Sequence, residues 1–340
     1  MVAIVECVPN FSEGRNQAVI EKIANSAKNI DGARILGIEP DPDYNRTVLT
    51  IAGDPAAVKI AAFNVIKSAY ENIDMTKHKG EHPRLGAVDV CPFIPIKNST
   101  MEDCSKLAKE LAIQVSEELL LPTYLYGYAA NSSDRELLSD IRRGEYEGLK
   151  QRLDNDGPLL PDYGPKSWND KIEKFGAVVI GARKILVAYN VNLNEKDAAV
   201  AKKVGTIIRS SGRLIKNEHG DKLRINGMLE MVQGMGLPLE THGISQVSMN
   251  LRDVSITPMH VAYEAVKTIA HDHGVELCGS ELVGLVPLNT MIEAGKWYSG
   301  NDSLSESDLV QWAIDGLGLA SLYEFNPKER IIEWAIEGGQ

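Results

Sequence analysis

One stretch constrains this chain more than any other: Asp74-Met-Thr-Lys-His-Lys-Gly-Glu-His-Pro-Arg-Leu-Gly-Ala-Val-Asp-Val-Cys-Pro-Phe-Ile-Pro95. Its first half is polar and carries two histidines, two lysines, an arginine and a glutamate. Because Gly80, Pro83 and Gly86 interrupt that half, it is predicted to be a shaped loop and not a helix. Residues 87–94 are mostly apolar and predict a buried strand. A loop of ionisable groups that leads into a buried strand favours chemistry, because the strand fixes what the loop presents.

The segment His78-Lys-Gly-Glu-His82 fits H-x-x-E-H, the pattern of inverted zinc peptidases. That pattern needs a helix, on which residues four apart share a face and both imidazoles reach one metal. Here Gly80 lies between the histidines, and Pro83 favours an extended backbone at His82. We therefore predict no metal site. A metal hydrolase is the alternative class, and elemental analysis for zinc would reveal it.

The totals describe an ordinary globular chain that is large enough for two domains. It has 340 residues, of which 44% are hydrophobic and 24% are charged. No apolar run approaches the ~20 residues of a membrane span, and the N-terminus reads as a strand and not as a signal peptide. The four cysteines lack paired spacing, which favours a reducing cytoplasm. A net charge of -11 argues against nucleic acid as a partner.

Periodicity predicts the order β-α-β-β-α-β in both halves of the chain. This order is typical of ferredoxin-like sandwiches, in which helices cover one face of a mainly antiparallel sheet. We predict an α+β fold with two such subdomains at residues 1–178 and 179–299, a ligand cleft between them, and a helical tail at residues 300–340. Gly181-Ala-Arg-Lys184 is predicted to be a hairpin turn. The main predicted strands are 2–8, 33–38, 47–52, 87–94, 123–126, 177–180, 185–189 and 245–254, and the main helices are 55–72, 101–119, 132–150 (surface-facing), 195–210 and 258–273.

Residues 154–172 are rich in glycine, proline and aspartate and lack periodicity. Composition alone favours an inter-domain linker. Tyr163 and Trp168 favour a binding loop instead, because flat aromatic rings provide stacking surfaces for a planar ligand.

Residues 79–95 resemble the signature of the glutamate formimidoyltransferase family, the folate-dependent enzymes of histidine breakdown. Four further blocks match this family in the same order: Val5-Glu-Cys-Val-Pro-Asn-Phe-Ser-Glu-Gly-Arg-Asn16, Asn45-Arg-Thr47, Gly181-Ala-Arg-Lys184 and Gly279-Ser-Glu-Leu-Val-Gly-Leu-Val-Pro-Leu288. The resemblance implies transfer of the formimidoyl group from N-formimidoyl-L-glutamate to N5 of tetrahydrofolate. Tetrahydrofolate, with or without a polyglutamate tail, is then the co-substrate, and no metal is needed. The cyclodeaminase domain of bifunctional relatives is not expected within 340 residues.

The implied reaction requires a general acid/base. Attack on the amidine carbon gives a tetrahedral intermediate that must expel an amine, which leaves well only when it is protonated. Imidazole has a suitable pKa. Among seven histidines, His82 has a neighbouring acid, a rigid proline after it, and Arg84 nearby to hold a substrate carboxylate. The residues alone leave open whether His82 is catalytic or bonds to its own loop; the resemblance implies that it is catalytic.

The other site residues are implied by the resemblance. An acidic residue is expected at the end of the second strand, where Glu39 replaces the usual aspartate and Asp41 or Asp43 is an alternative. Asn10 and Asn45 either orient the formimidoyl nitrogen or satisfy turn backbone. Basic residues must be concentrated locally to bind anionic substrates in an acidic chain, and Arg183, Lys184 and Arg252 are candidates beside Arg84. The folate loop is expected at Tyr163, Gly164, Pro165, Lys166, Ser167, Trp168 and Gly176.

Two other functions remain open from the sequence. The same scaffold could use N-formylglutamate, which differs from the formimidoyl donor by O in place of NH. A folate-binding protein without turnover is the alternative outside enzymes, and it predicts tight folate binding that His82→Ala does not change. A homodimer is compatible with the apolar tail but is not required by it.

Overall fold

The computed structural model describes residues 2–42, 44–80, 82–154 and 159–338. The chain divides into two compact units, Met1–Lys184 and Ile185–Gln340. The first unit therefore extends beyond the boundary expected at residue 178, because the strand that begins there pairs within it.

The first unit alternates strands and helices. Its strands are β1 (Ile4–Cys7), β2 (Asn10–Phe11), β3 (Ala33–Asp41), β4 (Arg46–Gly53), β5 (Val88–Lys97), β6 (Thr123–Gly127) and β7 (Val178–Ala182). Its helices are α1 (Gln17–Asn25), α2 (Pro55–Asn72), α3 (Met101–Glu118), α4 (Leu138–Ile141), α5 (Glu145–Asp154) and α6 (Asp170–Phe175), with a 3-10 turn at Ser133–Arg135.

The described strands of this unit form one seven-stranded sheet. β1 and β2 follow each other along the same position between β4 and β5, and they are antiparallel to both. With β3 on the far side of β4, the elements β1, α1, β3, β4, α2 and β5 make the predicted βαββαβ arrangement.

The same sheet continues with parallel strands, which the sequence analysis did not predict. β7 lies between β5 and β6 and is parallel to both. Side chains of these strands enter two cores, since Cys91 and Ile180 join the cluster of α1, α2 and α3, whereas Val90 and Val179 pack with α4, α5 and α6. The prediction that helices cover only one face of the sheet was therefore wrong for this region, because parallel strands are normally covered on both faces.

The second unit has its own four-stranded sheet, a separate hairpin and its own core. Its sheet runs β11-β12-β8-β13 with antiparallel neighbours, which is the same lateral order as in the first unit, so the α+β prediction is confirmed. Its strands are β8 (Val187–Leu193), β9 (Arg213–Lys216), β10 (Lys222–Ile225), β11 (Val232–Leu239), β12 (Ile244–Leu251) and β13 (Leu277–Val283). Its helices are α7 (Ala199–Ile208), α8 (Met259–Asp272), α9 (Leu288–Ser299), α10 (Glu306–Leu317), α11 (Pro327–Arg330) and α12 (Ile332–Glu337), with a 3-10 turn at Glu240–His242.

Two local predictions were wrong. Gly181–Lys184 is not a hairpin turn, because β7 pairs with β5 and β6 while β8 pairs with β12 and β13 in another sheet. The described part of 154–172 is not an inter-domain linker. Asp162 accepts a hydrogen bond from the Leu125 backbone, and the Tyr163 carbonyl accepts one from Thr123, so this segment is attached to β6.

Across the described residues, none of the helices combines the length and the apolar character needed to cross a bilayer.

Candidate active site

The polar loop between α2 and β5 is non-helical in the described residues 73–80 and 82–87. Glu81 lies outside the described residues. Asn45 anchors the loop, since its side chain accepts from the Gly14 backbone at 2.9 Å and donates to the Lys79 carbonyl at 3.0 Å. At Gly80 a Cβ would come within 2.3 Å of the Tyr44 carbonyl oxygen, so only glycine permits this approach. The loop geometry therefore depends on the turn before β4.

His82 is half-buried, and its Nδ1 has no hydrogen-bond partner among the described residues. Its ring meets the edge of Tyr44 with 5.9 Å between centroids. A buried ring nitrogen without a partner is unusual and marks a functional candidate. The recess around His82 is lined by Phe11, Ser12, Tyr44, Asn45, Arg46, His78, Arg84 and Asp89.

The surroundings of His82 favour the neutral imidazole. Burial lowers its pKa below the ordinary value, and the positive charges of Arg46 and Arg142 lower it further, against an opposing effect of Asp89. A neutral ring is the form that can accept a proton near pH 7.

His78 connects the loop to Arg84. Its Nε2 lies 3.0 Å from the Asn45 carbonyl and its Nδ1 lies 3.4 Å from Nε of Arg84. A carbonyl only accepts and a guanidinium only donates, so His78 must carry its proton on Nε2 and be neutral. Burial lowers the pKa of His78 most, the charge of Arg84 lowers it as well, and the hydrogen bond to the Asn45 carbonyl opposes them. The lowered pKa agrees with a neutral ring. His78 is therefore a bridge within the loop, between Asn45 and Arg84.

Arg84 is 8% exposed and is paired with two carboxylates. Its Nη1 donates to Glu145 and Glu147 at 3.0 Å each, and its Nη2 donates to Glu147 at 2.6 Å. The Arg84 carbonyl also accepts from the Tyr146 backbone at 2.8 Å. The start of α5 therefore holds Arg84, so residues 132–150 do not form only a surface helix.

A cavity of about 630 Å³ adjoins the His82 recess, and His78 and Arg84 line both. This volume lies within the usual range for small-molecule sites. The cavity is further lined by Arg15, Lys79, Gly80, Gly144, Glu145 and Glu147.

Asp89 and Arg46 complete the charges near His82. Asp89 is 2% exposed, accepts from the Leu85 backbone at 3.0 Å and forms an ion pair with Arg142. Arg46 donates to the side chain of Asn10, which in turn donates to the Val8 carbonyl at 3.0 Å. Asn10 thus supports both a turn and Arg46.

Two of the acidic residues expected near His82, Glu39 and Asp41, lie on β3. Glu39 is exposed on β3, opposite Val48 of β4, and Asp41 accepts from the Tyr44 backbone at 2.9 Å. Asp43 lies outside the described residues. The carboxylate that raises the pKa of His82 belongs to Asp89.

The expected folate loop is ordered around α6. Trp168 packs on the core of α4, α5 and α6 and tilts against Tyr146, with 6.3 Å between ring centroids. Tyr163 packs on the other core of the first unit, while Gly164, Lys166 and Ser167 are exposed and Pro165 is partly buried. Gly176 forms an isolated antiparallel bridge with Gly86, so the end of this loop joins the start of β5.

Two of the remaining basic candidates, Arg183 and Lys184, are the last residues of the first unit. Arg183 donates to the Lys184 carbonyl at 3.0 Å at the end of that unit. Arg252 belongs to the second unit, and its Nη2 lies 4.0 Å from the sulfur of Met231. In the described part of the chain, no group of three or more His, Cys, Asp or Glu side chains is arranged to hold a metal.

Sequence reasoning missed Asp89, Arg142, Glu145 and Glu147. Asp89 had a usable signal, since it is a carboxylate inside an otherwise apolar strand. The other three had none, because they meet Arg84 and Asp89 from 53 to 63 positions away along the chain.

Comparisons with known proteins identify the same family that the polar loop resembles. Residues 4–183 match the formiminotransferase domain, N-terminal subdomain, and residues 188–337 match the formiminotransferase domain. The chain is 40% identical to a glutamate formimidoyltransferase of Streptococcus pyogenes serotype M1, over 88% of this chain and 94% of that protein. It is 39% identical to a glutamate formimidoyltransferase of Thermoplasma acidophilum, over 91% of this chain and 97% of that protein.

Longer relatives match as well. The chain is 42% identical to the formimidoyltransferase-cyclodeaminase of Mus musculus, over 99% of this chain, and it spans 60% of the length of that protein. With both halves matched and the relatives so similar, the chain belongs to the formiminotransferase family.

Proposed function

We propose that this protein is a glutamate formimidoyltransferase, which moves the formimidoyl group of N-formimidoyl-L-glutamate to N5 of tetrahydrofolate and gives glutamate and 5-formimidoyltetrahydrofolate. The observation that carries the proposal is a half-buried histidine whose Nδ1 has no hydrogen-bond partner among the described residues, next to a cavity lined by three basic side chains. The relatives named for this activity support it.

The cavity suits an anionic donor despite the acidic chain. The net charge is -11, yet Arg15, Lys79 and Arg84 line one cavity of about 630 Å³. Glu145 and Glu147 also line the cavity and offset part of this charge, which leaves a net positive lining that attracts anionic ligands and a guanidinium that can orient a carboxylate. We assign the glutamyl carboxylates of the donor to this cavity.

His82 would act as the acid/base. Its depressed pKa keeps the ring neutral, so it accepts a proton as the folate nitrogen attacks the amidine carbon. The protonated ring then gives that proton to the nitrogen of glutamate, which converts it into a competent leaving group. Arg46 and Arg142 favour return of the proton, because they disfavour the imidazolium. No covalent enzyme intermediate is required, since tetrahydrofolate is itself the acceptor.

Folate is assigned to the loop from Tyr163 to Trp168 and to Gly176, as the family resemblance implies. The rings of Tyr163 and Trp168 are only partly buried against the cores of the first unit, which leaves part of each ring accessible for stacking on a planar ligand. Roles for Asn10, Asn45, Glu39, Arg183, Lys184 and Arg252 in binding remain predictions, as does the cleft between the two units.

The test is a steady-state assay of the pure protein with N-formimidoyl-L-glutamate and tetrahydrofolate. Wild type should turn over, and His82→Ala should lose ~10²–10⁴-fold in kcat, the usual contribution of a general acid/base. His219→Ala, which removes an exposed histidine of the second unit, is the matched control and should retain activity. Absence of turnover by wild type would contradict the proposal.

N-formyl-L-glutamate should be offered as a competing donor in the same assay. A higher kcat/KM for the formyl compound would move the assignment to a formyltransferase. Tight folate binding without turnover, unchanged in His82→Ala, would identify a binding protein instead.

A further inference from the structure

We propose that Glu147 is an internal stand-in for the donor carboxylate at Arg84, and that it must leave Arg84 before that carboxylate binds. This inference rests on the proposed function only in taking a glutamate derivative as the ligand of the cavity.

Arg84 needs an anion whether or not substrate is bound. Its side chain is 10% exposed, and a guanidinium that is largely removed from water is costly unless it is paired. The backbone fixes its position, because Tyr146 donates to the Arg84 carbonyl at 2.8 Å and Leu85 donates to the buried Asp89. The backbone of Arg84 is thus fixed, and its guanidinium lines the cavity as a receptor for carboxylates.

Glu147 occupies this receptor in the manner of a free carboxylate. Its two oxygens accept from Nη1 at 3.0 Å and from Nη2 at 2.6 Å, which is the bidentate geometry that Arg prefers for carboxylates. Glu145 makes a single contact at 3.0 Å. The hydrogen bond from Arg84 lowers the pKa of Glu147, so Glu147 is ionised at neutral pH.

Glu147 is also the partner that can leave. Its side chain is 63% exposed, compared with 10% for Arg84, so water replaces Arg84 around the released carboxylate. Gly144 and Glu147 both line the cavity, and Gly144 has a φ of 86° just before α5. An incoming carboxylate would keep Arg84 paired, and the exchange then replaces one ion pair with another of the same geometry.

The exchange predicts whether removing the charge of Glu147 strengthens or weakens ligand binding. If Glu147 competes with the ligand carboxylate, Glu147→Gln should tighten binding, because the ligand no longer has to displace an anion. If Glu147 instead holds Arg84 in its working geometry, the same substitution should weaken binding. These two outcomes are opposite, so binding decides between them.

The experiment is calorimetric titration of the full chain with L-glutamate, the carboxylate-bearing product, on wild type, Glu147→Gln and Glu147→Ala. We expect the Kd of L-glutamate to fall at least about threefold in both variants. Glu136→Gln removes an exposed charge outside the cavity and controls for net charge, so its Kd should stay that of wild type. Arg84→Gln should abolish binding, which would show that the measured heat comes from binding of L-glutamate at Arg84.

Thermal melting of each variant verifies that it is folded before it is titrated. An unchanged or higher Kd in folded Glu147→Gln and Glu147→Ala would overturn the inference, and so would the absence of L-glutamate binding in wild type and variants alike. The titration involves no turnover. A protein that binds L-glutamate more tightly in Glu147→Gln but shows no transfer would refute the proposed reaction and leave the stand-in intact.

Discussion

His82 experiences opposing charges at the residue scale. Two guanidinium groups, Arg46 and Arg142, disfavour its protonation, and one buried carboxylate, Asp89, favours it. Since Asp89 and Arg142 form an ion pair with each other, their effects on the ring partly cancel. Arg46 bonds to the neutral side chain of Asn10, and its charge has the largest effect of the three on the pKa of His82.

We expect Arg46→Gln to move the pH dependence of activity. His82 must be neutral to accept a proton, so kcat/KM should rise as pH increases through its pKa. Removing Arg46 removes an influence that lowers this pKa, and the acid limb should shift to higher pH. The measurement is the pH profile of kcat/KM. Lys67→Gln, which removes an exposed charge on α2, should leave the limb in place; a shift of equal size there would contradict the account.

We expect Asp89→Asn to destabilise the first unit. Arg142, 17% exposed at its side chain, would lose its carboxylate, and breaking such a buried pair costs about 3–5 kcal/mol. Denaturant unfolding measures the loss. Asp140→Asn breaks the exposed pair with Arg143 and should cost at most about 1 kcal/mol. Equal losses in the two variants would argue against a structural role of the buried pair.

The sequence could identify only part of this cluster. His82, Arg84, Asn10 and Asn45 were predicted from the motifs, and the structure gathers them around the start of β4 and the end of the loop. The acidic partner expected at the end of β3 stays a prediction, and Asp89, the carboxylate that raises the pKa of His82, was missed. Contacts that α5 makes with Arg84 depend on tertiary packing that no local pattern specifies.

Among the elements of the first unit, Gly176 connects the expected folate loop to the start of β5. Its φ is 84°, and a Cβ there would lie 2.2 Å from the Leu85 carbonyl oxygen. Both facts require glycine, independently of any contact with a ligand. Its place in the expected folate loop is therefore explained first by the close approach of two backbone segments.

Gly176→Ala should cost more stability than the strained backbone alone explains. Gly274 provides the matched control, with a φ of 76° and nothing within 4 Å of an added Cβ. We expect Gly274→Ala to cost about 1–2 kcal/mol from conformation, and Gly176→Ala to exceed it, because Leu85 must also move. Thermal unfolding compares them. Equal melting temperatures of the two variants would contradict a tight approach between Gly176 and the Leu85 carbonyl.

Elements with clear end signals were predicted well. Asp54 caps α2 and Pro55 opens it, and both signals are local, so its bounds of Pro55–Asn72 were predicted correctly. The turn at 181–184 was wrong because β7 and β8 are neighbours in sequence but belong to different sheets. That distinction depends on which strands pair, and pairing is a long-range property. The β9–β10 hairpin was also missed, since all of its residues are exposed and show no buried face.

At the scale of the whole molecule, the C-terminal segment contributes to the core of the second unit. Ile314 and Leu317 of α10, and Leu319 just after it, are buried in the same cluster as Met291 of α9. The Glu333 carboxylate accepts from the Leu288 backbone at 2.8 Å and so caps the start of α9. The segment at 300–340 therefore packs as part of this unit.

Deletion of residues 300–340 should make the second unit unstable. Each buried Leu or Ile contributes about 1.5–3 kcal/mol, and losing three of them removes much of the 5–15 kcal/mol of a typical domain. We expect aggregation or a lost cooperative melt, measured by calorimetry. A chain ending at Glu337 retains α12 and should melt like wild type. A soluble, cooperatively melting protein after the long deletion would show that α10 is dispensable.

We infer that His82, neutral in the free protein, is the group whose ionisation controls transfer. This role is tested most directly by NMR titration of the His82 ring in the free protein, assigned through His82→Ala, beside the pH profile of kcat/KM for the formimidoyl donor. The account predicts one shared midpoint, below the ordinary histidine value of about 6.5. A ring that titrates above that value, or away from the kinetic midpoint, would contradict it.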